Sequence, residues 1–328
     1  MSLKKFYSNK RVLVTGGSGM IGRPLVDKLI NLGAKVYVSS IDKNIKSKYF
    51  KFEFCDLRNF DDCKRICKGK DIVFQLAGIK GSPDMTRKKP ASFFVPTIQM
   101  SINMLEAARL ANVKNYLITS SIGVYSPAKI FKEKNVWKSF PSENDKFAGW
   151  AKRMTELQAE AFKIEHNFKS ISIVRPSNVY GPYDNFNPDN AMVIPSLIYK
   201  ALNQKNLTVW GNGAPIRDFI FSEDVAEAML DIVYKRIYEP INLGSGNGVS
   251  IKKLVEIINK NIPNGPKKIN WDLNKPSGDS KRIMSIQLSE KYGIKHKHSL
   301  EEGIIKTINW FIENKNYEKN RFNVFLQK

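Results

Sequence analysis

Cysteine and histidine are scarce in this chain of 328 residues, which has only three of each. Cys55, Cys63 and Cys67 are too few for a disulfide framework. Cys63 and Cys67 are four positions apart and could share a helix face, but two thiols are only half of a metal site. The sequence therefore predicts buried or unreactive thiols and no metal.

Long hydrophobic runs are also lacking. No apolar stretch approaches the roughly 20 residues that a membrane span needs, and the basic residues near the start precede only a short predicted strand. These two absences argue against a membrane protein and a signal peptide. We therefore expect a cytoplasmic protein with no membrane partner.

Acidic residues are few beside basic ones, 31 against 53, which gives a formal net charge of +22. Such a charge could indicate nucleic-acid binding, because phosphate contacts dominate that affinity. The lysines, however, are scattered singly and in pairs, as a general lysine bias would leave them. We predict no nucleic-acid partner and an attraction for anionic nucleotide ligands.

A glycine-rich turn stands near the start of the chain. The β-favouring residues 12–14 lead into Gly16, Gly19 and Gly22, and residues 24–30 continue with helical apolar spacing. In a strand–turn–helix unit, such glycines allow a tight turn, the approach of a pyrophosphate and close helix packing. The helix N-terminus adds unpaired N–H groups. The turn therefore predicts a dinucleotide site.

Strands alternate with helices along most of the chain. Strands are predicted at residues 12–14, 34–40, 50–55, 71–77, 115–121 and 170–176, with helices at 24–30, 61–67, 97–111 and 148–166 between them. This alternation favours an α/β fold with a doubly wound parallel sheet of the Rossmann type. We expect the dinucleotide-binding domain over residues 1–180. Residues 181–328 would form mainly a smaller α/β lobe, with some segments returning to the first domain.

Six short motifs in this order resemble the extended short-chain dehydrogenase/reductase family, in its nucleotide-sugar epimerase/dehydratase branch. They are Thr15–Gly22, Cys55–Leu57, Gln75–Gly78, Thr119–Tyr125, Arg175–Pro182 and Trp210–Phe219. The resemblance runs from Arg11 to about Lys315 and implies a nicotinamide cofactor and a nucleotide-diphosphate sugar as substrate. It also implies a homodimer paired through the helices at 97–111 and 148–166.

The resemblance places Ser121 and Lys152 in the catalytic centre, but the catalytic tyrosine is missing. The residue four positions before Lys152, where the family has its tyrosine, is Ala148. A methyl group donates no proton, so hydride chemistry should be severely impaired. An engineered replacement and a natural variant both explain Ala148, and the intact surrounding motif favours the first. Tyr125 is a poor substitute, since packing explains it.

The resemblance also predicts the cofactor site. The residues that it places beside the cofactor are Gly16, Gly19, Met20, Ile21, Gly22, Ser40, Asp42, Asp56, Leu57, Ala77, Gly78 and Lys152. Asp42 lies about 20 residues beyond Gly22, at the spacing of an acid that binds the ribose 2′-hydroxyl and repels a 2′-phosphate. A solvated turn aspartate would show the same spacing. We favour NAD, with NADP as the alternative.

On the substrate side, residues 181–195 resemble GDP-fucose synthase-like members of the family. The residues implied to contact the nucleotide or the sugar are Ser121, Gly123, Asn178, Lys200, Trp210, Arg217 and Arg282. Cationic Lys200 and Arg217 suit a pyrophosphate. Arg282, taken alone, is more simply explained as a solvated surface charge.

Departures from the relatives narrow the reaction. Gly123 and Met192 stand where GDP-fucose synthase has its epimerising Cys and His, and Ile122 and Gly123 stand where 4,6-dehydratases have an acid pair. What remains is 4-keto reduction, 4-oxidation or 4-epimerisation, on a sugar that we expect to be GDP-linked and destined for surface polysaccharide. The alternatives are a UDP-sugar 4-epimerase and a non-catalytic nucleotide-binding regulator, with RNA binding a distant third.

Overall fold

The computed structural model describes residues 1–42, 45–187, 189–263, 265, 267–275 and 279–315. Its strands are β1 (Arg11–Thr15), β2 (Lys35–Ser40), β3 (Lys51–Phe54), β4 (Ile72–Gln75), β5 (Asn115–Thr119), β6 (Ile130–Phe131), β7 (Ile171–Pro176), β8 (Asn178–Tyr180), β9 (Asn206–Trp210), β10 (Ile216–Phe221), β11 (Pro240–Leu243), β12 (Gly248–Ser250), β13 (Lys268–Asp272) and β14 (Lys281–Met284). Its helices are α1 (Leu3–Tyr7), α2 (Gly22–Asn31), α3 (Phe60–Cys67), α4 (Pro83–Lys88), α5 (Pro90–Leu110), α6 (Lys146–Glu165), α7 (Val193–Asn203), α8 (Ser222–Tyr234), α9 (Ile251–Lys260), α10 (Gln287–Lys291) and α11 (Leu300–Glu313).

Seven parallel strands form the main sheet, in the order β11-β7-β5-β4-β1-β2-β3. Every residue of β4 and β7 is buried, as strands covered on both faces should be. One face packs against α2 and α8, and the other against α3, α5 and α6. The expected α/β class and doubly wound parallel sheet are confirmed.

Two elements after residue 180 return to the main sheet. Strand β11 pairs with β7 at the sheet edge, and α8 packs against α2 with Val225 and Met229 fully buried. The sequence reading had named no strand at β11. The domain boundary at residue 180 stays a prediction.

A smaller sheet with the order β12-β10-β14-β6 forms the rest of the structure, with β8 also pairing with β10 and a separate β13–β9 ribbon beside it. A second core joins α7, α9 and α11 through side chains such as Leu197, Leu254 and Ile308. Strand β6 comes from the first half of the chain and pairs with β14 from the second. The two halves are thus joined through a shared sheet.

The three cysteines lie buried and free beneath the main sheet. Burial raises the pKa of Cys55 and of Cys67 to about 12 and raises that of Cys63 as well. Within the described ranges, no group of side chains could hold a metal ion and no helix is long and apolar enough to cross a membrane.

Candidate active site

The candidate site lies at the topological switch point of the main sheet. Strands β1 and β4 are neighbours, and the chain leaves β1 toward β2 on one side and β4 toward β5 on the other. In open α/β sheets, the carboxyl ends of strands at such a point form a crevice for a ligand. A cleft of about 350 Å³ opens there.

Apart from Lys152, every residue predicted to bind the cofactor lines this one cleft. They are Gly16, Gly19, Met20, Ile21, Gly22, Ser40, Asp42, Asp56, Leu57, Ala77 and Gly78. The fold therefore brings all of the predicted cofactor residues except Lys152 into one cleft.

The glycine turn ends at the N-terminus of α2, where no side chain caps the helix. Gly16 has a φ of +67°, which favours glycine, and a methyl group on it would lie 2.9 Å from Ala77 Cα. A methyl group on Gly22 would lie 2.3 Å from the Gly16 carbonyl oxygen. The turn therefore requires glycine at both positions, and the uncapped N–H groups suit the diphosphate of a dinucleotide.

A hydrogen-bonded acid stands at the carboxyl end of β2. Ser18 Oγ donates to Asp42 Oδ2 at 2.7 Å and lies 3.0 Å from Ser40 Oγ, while the Asp42 backbone N–H donates to Ser40 Oγ. The carboxylate is thus held at the cleft wall, where an adenosine ribose would lie.

Asp56 and Arg58 form the far end of the cleft. Arg58 Nη2 and Nε donate to the Asp56 carboxylate at 2.6 and 2.9 Å. These hydrogen bonds lower the pKa of Asp56 and keep the guanidinium occupied. Because the Arg58 guanidinium is already paired with Asp56, it is not free to attract a 2′-phosphate at this end of the cleft.

An ion pair spans the cleft on its outer side. Lys80, in the loop after β4, donates to Asp184 Oδ1 at 2.7 Å, and the Asp184 side chain is only 2% exposed. Asp184 and Tyr183 belong to the stretch 181–190, which contains no helix or strand among its described residues. The sequence assigned no role to Tyr183 or Asp184. The contact between Lys80 and Asp184 joins positions 104 apart in the chain, so the sequence alone does not show it.

Lys152 lies beside Gly78 at the inner end of the cleft, and Ser121 lies beside Gly123. Lys152 Nζ donates to the Thr119 carbonyl oxygen at 2.8 Å and would lie 3.8 Å from a methyl group on Gly78. Burial lowers the pKa of Lys152 to about 8, and the nearby Glu156 carboxylate partly opposes that shift. Ser121 Oγ accepts from the Gly123 N–H at 3.0 Å, which leaves its own proton available to a ligand.

Ala148 lies in the first turn of α6, on the helix that carries Lys152. Tyr125 does not replace the absent phenol, because its hydroxyl donates to Asn242 Oδ1 at 2.6 Å and accepts from Arg175. Its ring is buried, and burial raises its pKa. Tyr125 is therefore part of the core.

Arg217 and Arg282 are paired in register on β10 and β14, and Arg282 Nη2 lies 3.5 Å from the Ile122 carbonyl oxygen. Arg282 is not a solvated charge: its side chain is 13% exposed, and it pairs with Asp145 Oδ2 at 2.6 Å and with Asp279 at 3.7 Å. Burial and the neighbouring Arg282 lower the pKa of Arg217. Two guanidiniums therefore lie close together, as a diphosphate ligand would need.

The other predicted substrate residues lie in different surroundings. Asn178 Nδ2 donates to the Asp218 carbonyl oxygen at 2.8 Å, so this amide already supports β10. The Lys200 ammonium lies 5.8 Å from the Trp210 ring centroid, and the indole is half exposed. Among the described residues, no hydrogen bond or ion pair links Lys200 or Trp210 to Arg217.

Asp145 is another residue that the sequence did not single out, and it lies beside Gly123. It is the N-cap residue of α6, three positions before Ala148. That spacing was a usable signal, because residues three and four apart share a helix face. Its partner Arg282 is 137 positions away, and only the fold reveals that contact.

Comparison with known proteins gives a family and several relatives. Residues 12–244 match the family described as NAD dependent epimerase/dehydratase. The chain is 30% identical over 320 residues to a probable GDP-L-fucose synthase 1 of Oryza sativa subsp. japonica, covering 93% of this chain and 92% of that protein.

Two solved structures share the fold over nearly the whole chain. One is a UDP-glucose 4-epimerase of Thermotoga maritima with UDP-glucose, at 26% identity and a TM-score of 0.82, covering 93% of this chain and 100% of that one. The other is a GDP-L-fucose synthetase of Naegleria fowleri bound to NADP, at 25% identity and a TM-score of 0.80, covering 96% of both chains.

Proposed function

Because this chain belongs to the NAD dependent epimerase/dehydratase family, we propose that it is a nicotinamide-dependent oxidoreductase acting at C4 of a GDP-linked sugar. The observation that carries the proposal is the position of Lys152 beside Gly78, a residue that lines the cleft. Ser121 would hold the C4 oxygen, and Lys152 would hold the nicotinamide ribose. The likeness to a GDP-L-fucose synthase supports the choice of nucleotide.

The cleft fits a nicotinamide dinucleotide. Its glycine turn leaves room for a diphosphate at the uncapped N-terminus of α2. When bound, the nicotinamide would exchange a hydride with C4 of the sugar. We propose NAD as the preferred form, because the Asp42 carboxylate would accept the ribose 2′-hydroxyl and repel a 2′-phosphate.

Arg217 and Arg282 would hold the sugar-nucleotide diphosphate. Burial and Arg282 lower the pKa of Arg217, so an anionic diphosphate would stabilise the Arg217 charge. Arg282 is already paired with Asp145 and Asp279 and would add a weaker contact. Gly123 and Met192 carry no acid or base, so the proposal excludes epimerisation at C3 and C5 by the family's Cys and His. Reduction of a 4-keto sugar is the reaction that these residues suit best.

A homodimer is proposed from α5 and α6, which pack side by side. Each helix exposes apolar side chains seven positions apart, Val95 and Ile102 on α5 and Leu157 and Ile164 on α6. Such pairs lie on one face of each helix. The double variant Ile102→Glu/Ile164→Glu should sediment as a monomer, and an unchanged sedimentation coefficient would contradict this interface.

Restoring the phenol tests the proposed activity. Ala148→Tyr should give turnover of at least one GDP-linked 4-keto sugar, followed by the absorbance of reduced nicotinamide. Phe147→Tyr is the matched control, because it adds a phenol one position away on a partly exposed side chain. It should give no gain.

The outcomes separate the alternatives. Turnover of UDP-linked sugars alone, with the cofactor recovered unchanged, would favour the UDP-sugar 4-epimerase, to which the Thermotoga maritima structure is similar in fold. Cofactor binding with no turnover by Ala148→Tyr on any sugar nucleotide would favour a non-catalytic regulator.

A further inference from the structure

We propose that Asp145 is a catalytic acid/base residue of the sugar pocket and exchanges the C4 proton that the absent phenol at position 148 would otherwise exchange. The inference rests on the proposed function. It concerns a carboxylate that lies within the site and is held there by an arginine from the other half of the chain.

Asp145 lies on the catalytic face of α6. It precedes Ala148 by three positions and Lys152 by seven, which places all three on one side of the helix. Lys152 faces the inner end of the cleft. The Asp145 carboxylate therefore lies one helical turn from the missing phenol, on the side where the sugar would bind.

Gly123 opens the space between Asp145 and Ser121. A methyl group built on Gly123 would lie 3.5 Å from Ser121 Oγ and 3.6 Å from Asp145 Cγ. Because Gly123 has no side chain, one small group can contact the serine hydroxyl and the carboxylate together. A sugar C4 oxygen in that position would meet both.

Arg282 holds the carboxylate at this place. Its Nη2 lies 2.6 Å from Asp145 Oδ2 and 3.5 Å from the Ile122 carbonyl oxygen, so it spans both walls of the opening. The charged groups around Asp145 among the described residues are Arg282, Arg217 and Asp279 from the second half of the chain, together with Lys146 and Glu143 beside it at the start of α6. Arg282 is paired with Oδ2, so Oδ1 is the oxygen that we expect to meet the ligand.

A bound nicotinamide dinucleotide would supply or accept the hydride at C4. In oxidation, the Asp145 carboxylate, which is paired with Arg282, would take the proton of the C4 hydroxyl as its O–H bond breaks, and Ser121 would donate a hydrogen bond to that oxygen. The electron pair of the broken O–H bond would form the C4 carbonyl as the hydride leaves C4, and water would then take the proton from Asp145. Reduction is the reverse: the carbonyl oxygen would receive its proton from Asp145 as C4 gains the hydride.

Four proteins test the role: the unsubstituted chain, Asp145→Asn, Ala148→Tyr and the double variant. Each is assayed for reduction of GDP-linked 4-keto sugars with NADH. The unsubstituted chain should turn over slowly, and Asp145→Asn should lower kcat by about 10²-fold, the range of a general acid. In the Ala148→Tyr background the same substitution should change kcat little, because the phenol supplies the proton.

Controls separate chemistry from folding and binding. Glu143→Gln removes a carboxylate that is exposed, two positions before Asp145, and should leave kcat unchanged. NADH binding, followed by nicotinamide fluorescence, should be the same in Asp145→Asn and in the unsubstituted chain. In the unsubstituted chain, kcat for reduction should fall as pH rises, because Asp145 must carry the proton that it supplies. Asp145→Asn should lose this fall, whereas a purely structural change would keep it.

The results distinguish the two proposals. An equal kcat for Asp145→Asn and the unsubstituted chain, or no turnover by the unsubstituted chain beside an active Ala148→Tyr, overturns the role of Asp145 alone. No turnover by either protein on the whole sugar panel overturns the proposed function, and the role of Asp145 with it. Activity of the double variant would also show that the asparagine at position 145 is compatible with folding.

Discussion

A buried ion pair between α6 and the main sheet supports a quantitative prediction. Arg175 Nη2 and Nε lie 2.6 and 3.0 Å from the Glu156 carboxylate, and the two side chains are 2% and 3% exposed. Arg175 also donates to the Tyr125 hydroxyl and to the Glu133 carbonyl oxygen. The pair joins α6 to β7, so it fixes the helix that carries Lys152.

Replacing Glu156 by glutamine should lower the free energy of unfolding by about 3–5 kcal/mol, because it leaves the Arg175 charge buried without a counter-charge. Urea unfolding followed by circular dichroism measures the loss. Glu256→Gln, on the exposed side of α9, should cost less than about 0.5 kcal/mol. A loss below about 1 kcal/mol for Glu156→Gln would refute the reasoning, since it would mean that water or rearrangement compensates the charge.

Three further predictions concern the cleft. Asp42→Ser should raise the NADP-to-NAD affinity ratio at least about tenfold, because like charges in contact cost several kcal/mol; titration of both cofactors would show it, and an unchanged ratio would speak against Asp42 as the discriminating acid. Gly22→Ala should destabilise the fold by about 1–3 kcal/mol through its contact with the Gly16 carbonyl, whereas Gly78→Ala, whose methyl group meets only an ordinary contact, should unfold like the unsubstituted protein. Cofactor affinity should fall as pH rises through about 8, because Lys152 then loses its charge; Lys152→Met should flatten that dependence, and a pH-dependence that persists in it would assign the effect to another group.

The cofactor half of the site was predictable from the sequence, for a local reason. The turn from Gly16 to Gly22, the acid at Asp42 and the pair Asp56 and Leu57 each follow a strand of the main sheet. Because parallel strands present their carboxyl ends at one edge, short motifs after successive strands converge there. Their roles toward the cofactor stay predictions.

The start of one helix was predicted wrongly because of a proline, and one short strand was not predicted at all. The long helix was predicted to begin at residue 97, but α5 begins at Pro90 and contains Pro96. Proline lacks the N–H that a helix interior uses, so the pattern predicted a boundary there. Strand β11 has only four residues, beginning with Pro240, and its place in the sheet depends on pairing with β7.

The sugar half of the site depends on contacts between distant positions. Asp145 meets Arg282 and Lys80 meets Asp184 only because strands β6 and β14 and the loop near 184 join the two halves of the chain. A single sequence gives the residue types but not these pairs. Arg282 therefore resembled a surface charge until the fold placed it beside Asp145.

Isotope transfer to the sugar tests the proposed reduction at C4. Ala148→Tyr is incubated with NADH deuterated at nicotinamide C4 and a GDP-linked 4-keto sugar, and the product is analysed by mass spectrometry and NMR. Hydride transfer to C4 predicts a GDP-linked alcohol that carries the deuterium at sugar C4. A product with no deuterium, or with the label at another carbon, would contradict hydride transfer at C4.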